Sequence, residues 1–450
     1  MATHRHTPVP PSADPGHDDN ALVAAIAHMA TPLLAPDERW DTVLEHIGDA
    51  SIVLLGEATH GTHEFYAARA AITRRLVEER GFSALCIEGD LPHSARAHRW
   101  LRSEQDGGAA DALAGFKRFP QWMWRNTAFC ALLDDLRALA RRGSPIGLYG
   151  LDLYSMHESM AEVVAILERL DPAEARRARA RYSCFEHFGE DPQSYGWATS
   201  SAGSAPCEDD VVAELKAIHR LRVGDLGSDD ALLAELAAMS VKGGEAYYRT
   251  MFRGRVKSWN LRDTHMADAL ETVRSALARP GHSPKVVVWA HNSHLGDARA
   301  TELGDAGELN LGQLLRAKHG SLVRSIGFST HQGTVTAATD WDAPARRRHL
   351  RRGMRGSYEE LFHLVGVPRF FLDLRELGEA SGALHEDRLQ RAVGVIYRPE
   401  TERQSHYFHA RLADQFDGII HIDHTHALEP LEREALWVAG EAPETWPSSL

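Results

Sequence analysis

Residues 51–64 read Ser-Ile-Val-Leu-Leu-Gly-Glu-Ala-Thr-His-Gly-Thr-His-Glu. The apolar run Ile52–Leu55 stops at Gly56, and two glutamates and two histidines follow before a helical pattern begins. Four apolar residues in succession, closed by a glycine, read as a strand buried on both faces. The polar cluster then occupies the loop at the carboxyl end of that strand. In α/β sheets this loop position is where ligands and catalytic groups collect.

The same pattern recurs downstream. Ser83–Ile87 runs into Glu88-Gly89-Asp90, Pro145–Tyr149 into Gly150-Leu151-Asp152, and Lys285–Ala290 into His291-Asn292-Ser293-His294. Helical spacing fills the intervals. One helix follows Thr62, which can cap it, and ends at Gly81; others run through 92–103 and 122–141. A further helix is expected over Asn20–Leu34. More strands are expected at Leu322–Phe328, Thr334–Ala338, Phe370–Leu372, Ala392–Tyr397 and Gly418–Ile422. From about 157 to 280 the strand signal disappears, and Ala/Leu/Arg patterns predict a long helical insertion that splits one sheet. Strands alternating with helices predict right-handed βαβ units. The expected fold class is therefore α/β, with a largely parallel (mixed) central sheet flanked by helices. Residues 1–18 contain prolines at 8, 10, 11 and 15 and read as a disordered tail. No long Gly/Ser/Pro linker follows, so 19–450 reads as one domain.

Composition narrows the function. Lys and Arg total 50 against 63 Asp and Glu, a formal charge of −13. This argues against nucleic acid as a main partner, because phosphate neutralisation needs a basic surface. The basic stretch Arg346–Arg355 reads as a solvated helix or loop face. Cys86, Cys130, Cys184 and Cys207 match neither a metal knuckle nor a redox pair, and Cys86 reads as a small core residue. A reducing cytoplasm is the simplest compartment. The first residues lack the basic start and apolar core of a signal peptide. No apolar stretch approaches the ~20 residues that span a bilayer.

Four polar clusters thus end four expected strands: Glu57/His60/His63/Glu64, Glu88/Asp90, Asp152, and His291/Asn292/His294. Parallel strands place them on one side of the sheet. Proton transfer to water suits these residue types. A histidine titrates near neutrality, and a carboxylate beside it orients the ring and stabilises its charged form. A second histidine or an arginine can hold an oxyanion. No Gly-x-Ser-x-Gly elbow occurs, and no cysteine sits at a strand end. A hydrolase that activates water, without a covalent nucleophile, is the expectation. Glu57-x-x-His60 and His291-x-x-His294 have spacings that could bring metal ligands together. The His-Glu-x-x-His motif and a run of three ligating histidines are both missing, so a catalytic metal stays an open but disfavoured reading and no other cofactor is expected.

Each residue also has a plainer reading. Glu57 and Glu88 could be helix-start carboxylates favoured by the helix dipole. His63 and Glu64 fit either the site or the exposed first turn of a helix. Asp90 and Asp152 fit either helix capping or function. His294 fits a place behind His291. Trp122-Met123-Trp124 cannot all face one side of a helix, so one of them is expected to line an apolar cleft wall or to contact the helical insertion. Arg262 and Asp263 read as an internal ion pair holding the insertion to the sheet. Together with Trp122, Trp124, His294, Asp90 and Asp152 they are expected on the substrate side. The run His421-Ile422-Asp423-His424-Thr425-His426 has the composition of a metal tract, with His424 and His426 on one face. It is read here as a polar strand end near the cleft.

Several motifs belong together. They are Gly56-Glu57-Ala58-Thr59-His60-Gly61, Thr73-Arg74, Gly81-Phe82, Ile87-Glu88-Gly89-Asp90, Arg118-Phe119-Pro120-Gln121-Trp122-Met123-Trp124-Arg125-Asn126, and Tyr149-Gly150-Leu151-Asp152-Leu153-Tyr154. Ser258-Trp259-Asn260-Leu261-Arg262-Asp263, Trp289-Ala290-His291-Asn292-Ser293-His294 and Gln404-Ser405-His406-Tyr407-Phe408 follow in order. Over about 50–430 this resembles the erythromycin esterase family. The resemblance implies hydrolysis of a macrolactone ester, as in erythromycin, without a covalent enzyme intermediate. It implies His60 as general base, Glu57 and Glu88 as active-site carboxylates, and His291 as a second functional histidine. Arg69, a cation on the first helix, comes from the resemblance alone. In this reading Glu57 and Glu88 orient His60 and the water, while Arg69 and His291 hold the carboxylate network and the oxyanion. The expected partner is a small molecule, a large apolar ester or lactone. The alternatives are a different ester or acylated natural product, or a ligand-binding protein without catalysis on the same fold.

Overall fold

The computed structural model describes residues 19–33, 40–103, 106–189, 191–201, 205–224, 228–281, 283–378, 381–433 and 435–439. The expected tail, 1–18, lies outside them. Eight strands form the central sheet: β1 (Thr31–Pro32), β2 (Ile52–Leu55), β3 (Ala84–Asp90), β4 (Gly147–Asp152), β5 (Val286–Trp289), β6 (Val323–Ser329), β7 (Arg369–Asp373) and β8 (Gly418–Ile422). Their order is β1-β7-β8-β6-β2-β5-β3-β4. From β8 to β4 all neighbours are parallel, while β7 and β1 join antiparallel at one edge.

Register explains where the polar clusters go. Leu55 pairs with Trp289, Trp289 with Ile87, and Ile87 with Gly150. These four residues form one row across β2, β5, β3 and β4. The residues just beyond them, Glu57, His291, Glu88 and Asp152, therefore emerge side by side at the carboxyl edge.

Strand periodicity sorts the core onto two faces. Val53, Leu55, Leu85, Ile87, Val287 and Trp289 pack with helices His63–Arg80 and Thr127–Arg141. Ile52, Leu54, Ala84, Cys86, Val286 and Val288 pack against the helices that run from Met156 to Leu277 between β4 and β5. Both faces being covered, the strands tolerate unbroken apolar sequence. Among the described residues no helix is long and apolar enough to cross a membrane.

Several details differ from expectation. Arg346–Leu350 is a strand, antiparallel to Gln332–Ala337, rather than a solvated helix or loop face. Arg348 and Leu350 point inward and Arg347 and His349 outward, an alternation that the arginines conceal. The strand near 392 comes earlier, at Arg388–Arg391, paired with Tyr407–Ala410. Ala392–Tyr397 makes only single bridges, Val393 to Thr59 and Ile396 to Ala338. The first helix stops at Met29. The helix expected from 122 starts at Thr127, where the Asn126 side chain accepts from the Phe129 amide at 2.8 Å. Cys184 and Cys207 pair as a disulfide within the helical segment. A sequence separation of 23 gave no sign of that pairing.

Candidate active site

The loop after β2 is fixed by backbone contacts. Gly56 has no room for a side chain, because a Cβ there would lie 2.1 Å from Asn292 Oδ1. The Asn292 amide donates to the Glu57 carbonyl at 2.8 Å, tying the β2 and β5 loops together. Gly61 is tighter still: a Cβ would meet the Thr336 carbonyl oxygen at 1.8 Å. The Gly61 carbonyl accepts from the amides of Thr336 (2.9 Å) and Leu428 (2.8 Å). Val393 brackets the same loop, donating to Ala58 at 2.8 Å and accepting from the His60 amide at 3.2 Å. Thr62 stands at the helix N-cap, but its hydroxyl bonds the Thr59 hydroxyl instead of a backbone amide.

Inside this clamp lies the first of two networks. His60 Nδ1 is 2.8 Å from Glu57 Oε1, and Arg69 Nη2 donates to Glu57 Oε2 at 2.5 Å. Arg69 is fully buried, its guanidinium 4.5 Å from the Tyr66 ring and 4.4 Å from the Trp289 ring. A buried cation is tolerated because a carboxylate and two aromatic faces surround it. With Nδ1–H directed at Glu57, the neutral His60 ring leaves Nε2 as a proton acceptor.

His291 stands next to it, ring centroids 4.9 Å apart. The His291 amide donates to Glu88 Oε2 at 2.9 Å. Its Nδ1 accepts from the Ser293 amide at 3.2 Å and lies 2.9 Å from Ser293 Oγ. Burial, reinforced by His60, pushes the His291 pKa down to about 3. The ring is thus neutral near pH 7, with its proton on Nε2. That nitrogen is buried beside the Ala58 carbonyl without a well-formed hydrogen bond.

The second network centres on Glu88. Arg262 Nη2 donates to Glu88 Oε1 at 2.7 Å and to Asp152 Oδ2 at 2.6 Å, while its Nε reaches Asp152 Oδ1 at 3.0 Å. His294 Nε2 also approaches Glu88 Oε1, at 3.3 Å. His294 Nδ1 lies 2.9 and 3.0 Å from the two Asp263 oxygens, and its ring stacks on Trp259 at 4.5 Å. Burial works against charge on His294, but Asp263 and Glu88 prevail and raise its pKa to about 9. Burial likewise opposes charge on Glu88, yet His294 and Arg262 hold its carboxyl well below the usual range.

This geometry corrects several expectations. Arg262 and Asp263 do not pair with each other. Successive residues on a helix point about 100° apart, so Arg262 reaches Glu88 and Asp152 while Asp263 reaches His294. Asp263 is fully buried, its oxygens taken up by His294 and the Leu311 amide. Trp122 and Trp124 are 5% and 4% exposed and belong to the core behind the site, not to a cleft wall. The chain there is a 3₁₀ turn, not a helix, and Trp124 Nε1 donates to the Glu88 carbonyl at 3.2 Å. Glu88 hydrogen-bonds His291, Arg262 and His294, and so orients the His291 loop, not His60. Asp152 turns to Arg262. Asp90, at the N-cap of helix Leu91–Arg102, makes no capping bond; it accepts from the Ser155 amide at 3.2 Å and faces Arg118 at 3.6 Å. Burial lifts its carboxyl to about 6 against the pull of Arg118. Glu64 pairs with His426 at 2.6 Å. His63 lines a separate outer groove of about 690 Å³ with Trp40 and Arg74. Sequence reading gave no role to Ser293, Tyr66 or Val393. Of these only Ser293 carried a signal, lying between two histidines at a strand end.

Two histidines, each positioned by a buried carboxylate at the carboxyl edge of a parallel sheet, give this α/β protein the equipment of a hydrolase. The chain belongs to the erythromycin esterase family, whose profile matches residues 77–425. It is 23% identical to erythromycin esterase type II of Escherichia coli over 434 residues, covering 88% of this chain and 95% of that one. It is 21% identical to the putative hydrolase YbfO of Bacillus subtilis (strain 168) over 392 residues, 83% of each chain. Among solved structures, a Bacillus cereus protein superimposes with a TM-score of 0.76 at 20% identity, over 92% of this chain and all of that one (100%). An erythromycin esterase mutant in its open conformation gives a TM-score of 0.59 at 18% identity, over 88% of this chain and 95% of that one.

Proposed function

We propose that this protein hydrolyses a carboxylic ester with water activated directly by His60. The supporting observation is the Glu57–His60 contact of 2.8 Å, which directs Nδ1–H at a carboxylate and leaves Nε2 as the base. His60 Nε2 takes a proton from water as the water oxygen attacks the ester carbonyl. The carbonyl π electrons move onto oxygen, and His291, its ring 4.9 Å from that of His60, stabilises the oxyanion once its buried Nε2–H turns from the Ala58 carbonyl toward it. Collapse expels the alkoxide, which takes the proton from His60, so that acid and alcohol leave and both rings return to their starting state. Arg69 and Glu57 keep the His60 ring in register throughout.

The reading includes no catalytic metal. Both oxygens of Glu57 and of Glu88 are already hydrogen-bonded, and Arg69, Arg262 and charged His294 would face any cation placed between them. By analogy with relatives named erythromycin esterases, the proposed substrate is a macrolactone. The test incubates the protein and its His60→Ala variant with an erythromycin-type macrolactone and a simple aryl ester, followed by mass spectrometry. A ring-opened acid with the wild type alone is the expected result, with at least about 10³-fold less product from the variant. Cleavage of the aryl ester alone would move the proposal to another ester, and cleavage of neither would refute it.

A further inference from the structure

A second histidine cluster lies on the other flank of the sheet. Strands β6 and β8 are parallel neighbours, so the loops that leave them run side by side. The His331 and Gln332 amides donate to the Asp423 carbonyl at 3.2 and 3.0 Å and lock these loops together. His363 comes from the helix Tyr358–Leu364, packed over the same corner. One ligand atom each from His331, His363 and Asp423 lies within 4.8 Å of the others. The pattern is three imidazoles around one carboxylate once His421 is included. His421 is fully buried, and its Nε2 stands 3.5 Å from Asp423 Oδ1 with no hydrogen-bond partner.

We propose that His331, His363 and Asp423, backed by His421, form a binding site for a divalent cation of the zinc class, separate from the hydrolytic site. The surroundings prepare the ligands as such sites require. His331 Nδ1 faces the Glu359 carbonyl at 3.3 Å, which puts its proton there and leaves Nε2 as the donor atom. His421 Nδ1 lies 3.3 Å from Ser329 Oγ, and the same logic frees its Nε2. Neutral imidazole and carboxylate are the states that bind metal. Arg391 donates to the Thr330 and His331 carbonyls at 3.3 and 3.1 Å and pairs with Glu402 at 3.2 Å, so its charge is met outside the cluster.

Imidazole and carboxylate without thiolate suit Zn²⁺, at about 2.0–2.2 Å from each donor atom. The rings of His331 and His363 stack 3.9 Å apart, and exposed His363 is the ligand that turns onto the ion. The cation would join the loops after β6 and β8 to the helix that carries His363. The chain at this corner is rich in histidine for a reason unrelated to ester hydrolysis.

The test uses the full chain, stripped with chelator and titrated with Zn²⁺ by calorimetry and with Co²⁺ by visible absorption. The expected result is one tight equivalent, a Co²⁺ d–d spectrum, and a melting temperature that rises with Zn²⁺. His363→Ala and Asp423→Asn should each weaken that equivalent by at least about 30-fold. His60→Ala should retain it. The proposal fails if the wild type binds no stoichiometric Zn²⁺, if the His363 and Asp423 variants bind it as tightly as the wild type, or if His60→Ala alone removes it.

Discussion

Glu57 and Glu88 stand at one sheet edge, on the ends of β2 and β3 with β5 between them, and both are buried acids with arginine partners, yet their contacts differ in kind. Glu57 binds one histidine and one cation, and in the proposed mechanism the histidine keeps a nitrogen for water. Glu88 receives Arg262, His294 and a backbone amide, and every partner is itself held by something else. The first arrangement ends in a reactive atom and the second closes on itself. Two identical side chains at equivalent strand ends thus differ because one network has an outlet.

That contrast can be broken by removing one charge from each side. Arg262→Met should have the larger effect on stability, about 3–5 kcal/mol by denaturant unfolding, because Glu88 and Asp152 lose a buried cation. Its kcat per folded molecule should fall by less than about tenfold. Glu57→Gln should do the reverse, lowering kcat by about 10²–10³-fold, since His60 loses the carboxylate that fixes its tautomer. If Arg262→Met proves the more damaging to kcat, the division between the two networks is wrong.

The pH dependence sharpens it further. His294 is raised from 6.5 to about 9 in the folded protein. Its contribution to stability is therefore complete below about pH 6.5 and lost as pH rises through 9, on the order of 3 kcal/mol at most. Melting temperatures measured across that interval should decline more steeply for the wild type than for His294→Gln. Equal slopes would remove His294 from the closed network. The smallest effect belongs to Ser293→Ala. It removes the hydroxyl but keeps the amide that sets the His291 tautomer, so steady-state kinetics should show kcat changed by no more than about fivefold.

The sheet and the list of strand-end residues were legible in the sequence because buried parallel strands write themselves as apolar runs closed by glycine or by a polar residue. Ile52–Leu55, the start of β3 and most of β5 fall where the pattern puts them. Pairing was not legible. Which carboxylate Arg262 chooses depends on the direction of one side chain across three loops, and adjacency to Asp263 was a false guide. Trp122 and Trp124 misled for a related reason: aromatic runs imply a face to cover, and here both are core residues, with Trp124 against the underside of Gly89. There a Cβ would come within 2.8 Å of Trp124 Nε1. Arg346–Leu350 hid its alternation because Arg348 is turned inward to the Tyr397 carbonyl at 2.9 Å. Arg69 carried no local signal at all, since a buried arginine sandwiched by Tyr66 and Trp289 looks in sequence like any charge on an amphipathic helix.

The clamp on Gly61 has a consequence in the order of synthesis. His60 leaves the ribosome early, but Thr336, Val393 and Leu428, which grip its loop, are translated some hundreds of residues later. A nascent chain that ends just past His294 would already contain His60, Glu57, Glu88 and His291 and still lack the backbone bonds that Thr336, Val393 and Leu428 give to the His60 loop. The loop that carries His60 is made early and finished late.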